Sequence, residues 1–228
     1  MKPRVLLLCR KRSLAAGVRG ALKPFGYALG CASQPAALWR ALARANGPHV
    51  VILSQACLDG AVVELLSALR RDPRGAALCV MLLAADGKES TMLKGFESGA
   101  DDVLSPPWGY PEMCARLRVM LRRIPGLALD GGGAAVEGIA FSDDEDCLRV
   151  GERRIPMTQN ERRILRLLLS KPGRTVSRGD LLKTLWNTTE KLRTRCVDVH
   201  VSHLRRKLRS SACRILTVRH QGYRLDLA

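Results

Sequence analysis

The sequence predicts two domains in series: an α/β domain built on a parallel sheet, then a smaller α+β domain of helices among short strands. Three observations predict this. Through the first half of the 228 residues, apolar runs of strand length alternate with helical spacings. Pro125-Gly126 and the glycines Gly131, Gly132 and Gly133 then break the pattern. Beyond them, a capping-box sequence and a basic helix with one apolar stripe lie among short strand-like pieces. The expected boundaries are 1–123 for the first domain, 124–135 for a linker and 136–228 for the second domain.

In the first domain, residues 4–9, 49–54 and 78–83 read as strands, and 102–104 as a shorter one. The longer runs are almost continuously apolar, as strands covered on both faces are. Helices are expected over 13–23, 36–45, 61–71, 90–97 and 112–122. Val62, Leu65, Leu66 and Leu69 show the spacing: they recur on one face of a 3.6-residue period. Strand–helix repeats of this kind place helices on both faces of a parallel sheet.

The second domain opens with strand-like pieces at 138–141, 147–150 and 154–155. Thr158 and Glu161 form a capping box, whose hydroxyl and carboxylate satisfy the first free amides of a helix. Ile164, Leu165, Leu168 and Leu169 give that helix its apolar face, and Pro172-Gly173 ends it. A second helix starts at Ser177, with Leu181, Leu182, Leu185 and Trp186 inward. A polar loop follows over 187–193, then a third helix over 194–209 and a hairpin of 215–218 with 222–227.

Charge narrows the function. The chain carries 38 Lys+Arg against 21 Asp+Glu, a net charge of +17, and 17 basic against 5 acidic side chains fall in 158–228. Such a surface attracts polyanions. No apolar stretch approaches the ~20 residues of a membrane helix. The 5–9 run is too short for a signal-peptide core, and Arg10, Lys11 and Arg12 follow at once. A cytoplasmic protein without membrane contact is expected. The eight cysteines form no C-x-x-C pair and no zinc-finger spacing, so they read as reduced core thiols, with redox sensing as the alternative. No metal and no cofactor is expected.

The third helix decides between a solvated basic surface and a DNA-binding one. At about 100° per residue, Val197, Val201, Leu204 and Leu208 fall on one stripe. The opposite stripe holds Arg195, Val199, Ser202 and Arg206, flanked by Asp198, His203 and Arg209. Arginine can pair bidentately with guanine, and valine can touch a thymine methyl. Two helices before it and a hairpin carrying Arg219 after it give the order helix–turn–helix, then wing, a DNA-docking geometry.

The run from Asp198 to Leu208, with Thr217-Val-Arg219 and Gly222-Tyr-Arg-Leu225, resembles the winged-helix effector domain of OmpR/PhoB-type response regulators. The first domain is similar to their flavodoxin-like receiver domain, with a five-stranded parallel sheet, mainly through Gly99-Ala-Asp-Asp-Val-Leu104 and 112–123. The resemblance implies a sequence-specific transcriptional regulator of double-stranded DNA and not an enzyme. Base contacts would come from Asp198, Val199, Ser202 and His203. Arg195, Arg205 and Arg206 would hold phosphates or bases, and Arg219 would enter the minor groove. The 187–193 loop would contact RNA polymerase. His220-Gln221-Gly222 departs from the family's Gly-x-Gly in the wing.

The receiver resemblance also shows what is missing. Receivers phosphorylate an aspartate with Mg²⁺, a hard cation that prefers carboxylate and other oxygen ligands. Cys9 and Arg10 stand where the acidic pair belongs, and Ser54 stands at the acceptor. Leu83 replaces the switch hydroxyl, Pro106 the lysine and Val103 the switch aromatic. Arg10 and Lys11 would repel Mg²⁺. Aspartyl phosphorylation is therefore not expected. An enzyme using Ser54 or Cys9 as nucleophile would need a base beside it, and none is expected there.

In the family, the face of the fourth helix, fifth strand and fifth helix pairs two receivers through charges. Asp101, Asp102, Glu112, Arg116 and Arg123 fit that pattern, although Met92 falls where a basic partner of Glu112 is usual. The expectation is a constitutive homodimer on tandem half-sites about one helical turn apart. Two other readings stay open: a ligand- or redox-gated regulator using the crevice around Cys9 and Arg10, and a non-specific packaging protein of the nucleoid.

Overall fold

The computed structural model describes residues 2–58, 61–121, 139–141, 147–150, 153–186, 194–209, 211 and 213–227. The chain divides into two units, Met1–Leu129 and Asp130–Ala228. The expected 124–135 linker, Arg123 and the 187–193 loop lie outside the described residues.

In the first unit the apolar runs become β1 (Arg4–Leu8), β3 (Val50–Ser54), β4 (Cys79–Leu83) and β5 (Asp102–Leu104). A fifth strand, β2 (Ala28–Ala32), has no apolar run to announce it. It is a partly exposed edge strand with a glycine in its middle, and its register with β1, Arg4↔Ala28 through Leu8↔Ala32, makes it a strand. At Gly30 a side chain would meet Leu6 at 3.3 Å, so the glycine allows this close pairing. All five strands are parallel, in the order β2-β1-β3-β4-β5. That is the flavodoxin-like order, with its crevice at the carboxyl ends of β1 and β3.

The connecting helices are α1 (Arg12–Leu22), α2 (Pro35–Leu42), α3 (Val62–Arg71), the single turn α4 (Pro73–Ala76), α5 (Glu89–Glu97) and α6 (Tyr110–Leu121). Strand side chains alternate between faces. Val5 and Leu7, Val50 and Ile52, and Cys79 and Met81 pack with Val18 and Leu22 of α1 and Met113 and Leu117 of α6. On the other face, Gly95 lets α5 close on the sheet: a side chain there would fall 2.7 Å from Leu82 and 3.0 Å from Val103.

One polar staple crosses this domain. Arg70 of α3 donates to the carbonyls of Gly99 (2.8 Å), Gly75 (2.9 Å), Ala76 (3.3 Å) and Leu78 (2.7 Å), and to Asp101 Oδ2 (2.8 Å). The backbone N–H of Val80 donates to the same carboxylate oxygen at 2.8 Å. Gly99 sits at φ +109° under the Arg70 side chain, where a β-carbon would fall 2.5 Å from Arg70 Cγ. The Gly99–Asp101 motif is thus a structural clamp.

The second unit begins with β6 (Ile139–Phe141), β7 (Cys147–Val150) and β8 (Arg153–Pro156), an antiparallel sheet. Three helices follow: α7 (Gln159–Leu169), α8 (Arg178–Trp186) and α9 (Thr194–Lys207). The Thr158–Glu161 capping box is formed at the start of α7. At the start of α8, Ser177 Oγ donates to Asp180 (2.9 Å) and accepts from the Asp180 amide (3.0 Å). The hairpin consists of β10 (Cys213–Val218) and β11 (Gly222–Leu227). A third strand, β9 (Thr175–Ser177), pairs antiparallel with β11, although three residues are too few to mark a strand in the sequence.

Candidate nucleic-acid interface

Helix α9 is held on four sides. Its apolar stripe is buried: Val197, Val201 and Leu204 are 0% exposed, and Leu208 follows beyond the helix end at 3%. Burying each such side chain contributes roughly 1.5–3 kcal/mol. His200, also buried, lies 3.3 Å from Asn160 Nδ2 on α7 and packs against the Trp186 ring. At the carboxyl end, Lys207 Nζ donates to Glu161 (2.7 Å) and to the Pro156 carbonyl (2.8 Å). Glu161 therefore closes the cap of α7 and anchors α9 together.

The fourth side is the wing sheet. Asp198 Oδ1 accepts from Arg178 Nε (3.0 Å) and from the Tyr223 hydroxyl. The Tyr223 ring lies between two guanidinium groups, Arg178 at 4.8 Å and Arg205 at 5.7 Å. Burial, with Asp198 beside the hydroxyl, pushes the Tyr223 phenol up to about 12. Arg205 also donates to the Ile215 carbonyl (2.8 Å) and the Thr217 hydroxyl (2.7 Å). Asp198 and Arg205, singled out for contact with DNA, are thus engaged in fixing α9 to α8, β10 and β11. Nothing in the sequence marks Arg178 and Tyr223 for this role, since only the folded sheet brings them beside α9.

The outward stripe is exposed within this unit. Arg195, Ser202 and Arg206 are exposed, and Val199 and His203 are half-buried. Arg206 has no hydrogen-bond or ion-pair partner among the described residues. Arg219 is exposed in the three-residue turn between β10 and β11. In that turn His220 adopts a left-handed φ of 60°, the conformation that glycine commonly supplies.

In the first unit, three of the residues expected in the crevice lie at strand ends. Cys9 follows β1, Ser54 ends β3 and Leu83 ends β4. Cys9, Ser54 and Leu83 are buried, whereas Arg10 and Pro106 are exposed. Val103 is fully buried under α5. Cys57, which the sequence did not single out, lies with its sulfur 3.4 Å from that of Cys9.

The charges expected at a dimer face separate into two groups. Asp101 is corrected: it is 2% exposed and bonded to Arg70 and Val80, so it belongs to the interior. Arg116 bridges Glu112 (2.6 Å) and the buried Asp102 (3.3 Å) within one chain. Glu112 is exposed.

Known proteins match this arrangement. Residues 151–225 match the family model described as transcriptional regulatory protein, C terminal. The transcriptional regulatory protein TctD of Salmonella typhimurium (strain SL1344) is 30% identical over 224 residues, covering 98% of this chain and 97% of that one. The phosphate regulon transcriptional regulatory protein PhoB of Rhizobium meliloti (strain 1021) is 34% identical over 183 residues, or 78% of this chain and 79% of that one. A solved structure of a RitR mutant shares the fold, with a TM-score of 0.73 at 23% identity and coverage of 99% and 100%. With a sheet of receiver order, a winged helix and relatives matched along most of their length, the chain belongs to the OmpR/PhoB family of response regulators, DNA-binding proteins that regulate transcription.

Proposed function

We propose that this protein regulates transcription from specific DNA sites without aspartyl phosphorylation, as a constitutive dimer on tandem half-sites. One observation carries the phosphate independence: Cys9, Arg10 and Ser54 occupy the ends of β1 and β3 where a receiver needs its acidic pair and acceptor. A thiol, a guanidinium and a hydroxyl do not assemble a Mg²⁺ site. The buried Leu83 and Val103 likewise leave no hydroxyl or aromatic ring free to follow a phosphoryl group. With nothing to gate pairing, two receivers joined through the α5–β5–α6 face would hold two effector domains at high effective concentration. The exposed Glu112, and Arg116, which pairs with it and with the buried Asp102, would carry the charge of that face. In this reading the protein resides in the cytoplasm on the nucleoid, and the 187–193 loop touches RNA polymerase.

The test combines acetyl phosphate with mass measurement. Full-length protein treated with acetyl phosphate and Mg²⁺ is expected to gain no phosphoryl group and to sediment as the same dimer as untreated protein. A stable phospho-form, or a monomer at micromolar concentration with and without DNA, would overturn the proposal.

The base-reading face is assigned to Arg195, Val199, Ser202, His203 and Arg206, with Arg219 at the minor groove. Asp198 and Arg205 act through packing. Arg206→Ala is expected to weaken binding to a selected target by about 1–3 kcal/mol if the side chain pairs with a base. Binding titrations on the target and on random DNA check it: an equal loss on both means a phosphate contact only.

A further inference from the structure

A pair of thiols lies at the carboxyl ends of β1 and β3. Cys9 follows β1, and Cys57 ends the 3₁₀ turn Gln55–Cys57 that follows β3. The register Leu8↔Leu53 brings these strand ends side by side, although the two cysteines are 48 residues apart. Their sulfurs stand 3.4 Å apart. Cys9 is 7% exposed and Cys57 4%, yet their chain neighbours Arg10 and Ala56 are exposed, so the pair lies just beneath the surface. Ser54 Oγ donates to Cys57 Sγ (3.4 Å), and the Lys11 amide donates to Cys9 Sγ (3.1 Å).

We propose that Cys9 and Cys57 form a dithiol site for a peroxide-class oxidant, which converts them into an internal disulfide across the ends of β1 and β3. This goes beyond the DNA-binding reading and does not rest on it. The bond needs the sulfurs to close from 3.4 Å to about 2.05 Å.

The two thiols are unequal. Burial raises Cys57, but hydrogen bonds from Ser54, the Lys11 amide, Cys9 and the Arg10 amide outweigh it and hold its pKa below the ordinary thiol value. Burial and the neighbouring Cys57 push Cys9 up to about 11. Cys57 is therefore the attacking thiolate and Cys9 the resolving thiol. The Cys57 thiolate attacks one peroxide oxygen. The O–O bond breaks, Cys57 becomes a sulfenic acid, and the departing hydroxide takes a proton from solvent. The Cys9 sulfur then attacks the sulfenic sulfur: the S–S bond forms, the S–O bond breaks, and the hydroxyl leaves with the Cys9 proton as water. Two thiols lose two electrons in all, and one hydrogen peroxide becomes two waters.

The test uses the reduced full-length protein and limiting hydrogen peroxide, followed by blocking with N-ethylmaleimide, digestion and mass spectrometry. The expected product is a cross-linked peptide pair joining Cys9 to Cys57, released by dithiothreitol. In Cys9→Ser, a sulfenic acid at Cys57 is expected to persist and to be trapped by dimedone. In Cys57→Ser, Cys9 should take no dimedone. If wild-type peptides of both residues still carry N-ethylmaleimide when the exposed Cys31 has been oxidised, the proposal is overturned, with no variant needed. DNA binding by the reduced protein is a separate readout, so failure of the thiol chemistry leaves the regulator reading standing.

Discussion

Asp101→Ala is expected to remove about 3–5 kcal/mol of stability from the receiver domain, the usual effect of breaking a buried ion pair from one side. Asp101 is 2% exposed and Arg70 14%. Losing the carboxylate leaves the guanidinium without its counter-charge and the Val80 amide without its acceptor. Arg70 keeps its bonds to the Gly99, Gly75, Ala76 and Leu78 carbonyls, so the charge stays pinned inside instead of turning to solvent. Against a typical domain stability of roughly 5–15 kcal/mol, that is a large fraction. Asp101→Asn keeps an oxygen for the Val80 amide and should lose less. Hydrogen exchange resolved by peptide checks it: protection should fall across β3 to β5 and hold in α9. A loss below about 1 kcal/mol would mean that the network contributes no more than a surface pair.

Gly222→Ala is expected to disrupt the wing sheet by about 3 kcal/mol, the upper end for overpacking. A β-carbon there would lie 2.0 Å from the Val176 carbonyl oxygen and 2.9 Å from Ser177 Cα. Both are backbone atoms of β9, so no rotamer change relieves the contact and β11 must move away. Tyr223 is the next residue. Its bond to Asp198 and its stacking between Arg178 and Arg205 would be lost with the shift. Helix α9 would then lose one of its four supports. DNA affinity should fall about tenfold or more, since each 1.4 kcal/mol of misplaced contact is a factor of ten. Binding titration beside thermal unfolding separates the outcomes: unchanged affinity at lowered stability would show that the wing does not hold α9.

Strands β1, β3 and β4, the Thr158–Glu161 cap and the division of α9 into a buried and an exposed stripe were legible in the sequence, because each is written in neighbouring residues. Continuous apolar runs, helical period and cap chemistry are local signals. Strands β2 and β9 were not legible: Ala28–Ala32 has little strand preference of its own, Thr175–Ser177 is only three residues long, and both are strands because β1 and β11 offer them partners. The same limit applied to the site. Sequence alone determined that a basic helix closes a helix–turn–helix, and which of its residues face away from the apolar stripe. Only the tertiary structure decided that Asp198 and Arg205 brace the wing, that Asp101 is buried under Arg70, and that Cys9 meets Cys57. Those meetings join residues far apart in the chain, and sheet register and helix packing, which no short stretch of sequence encodes, set their distances.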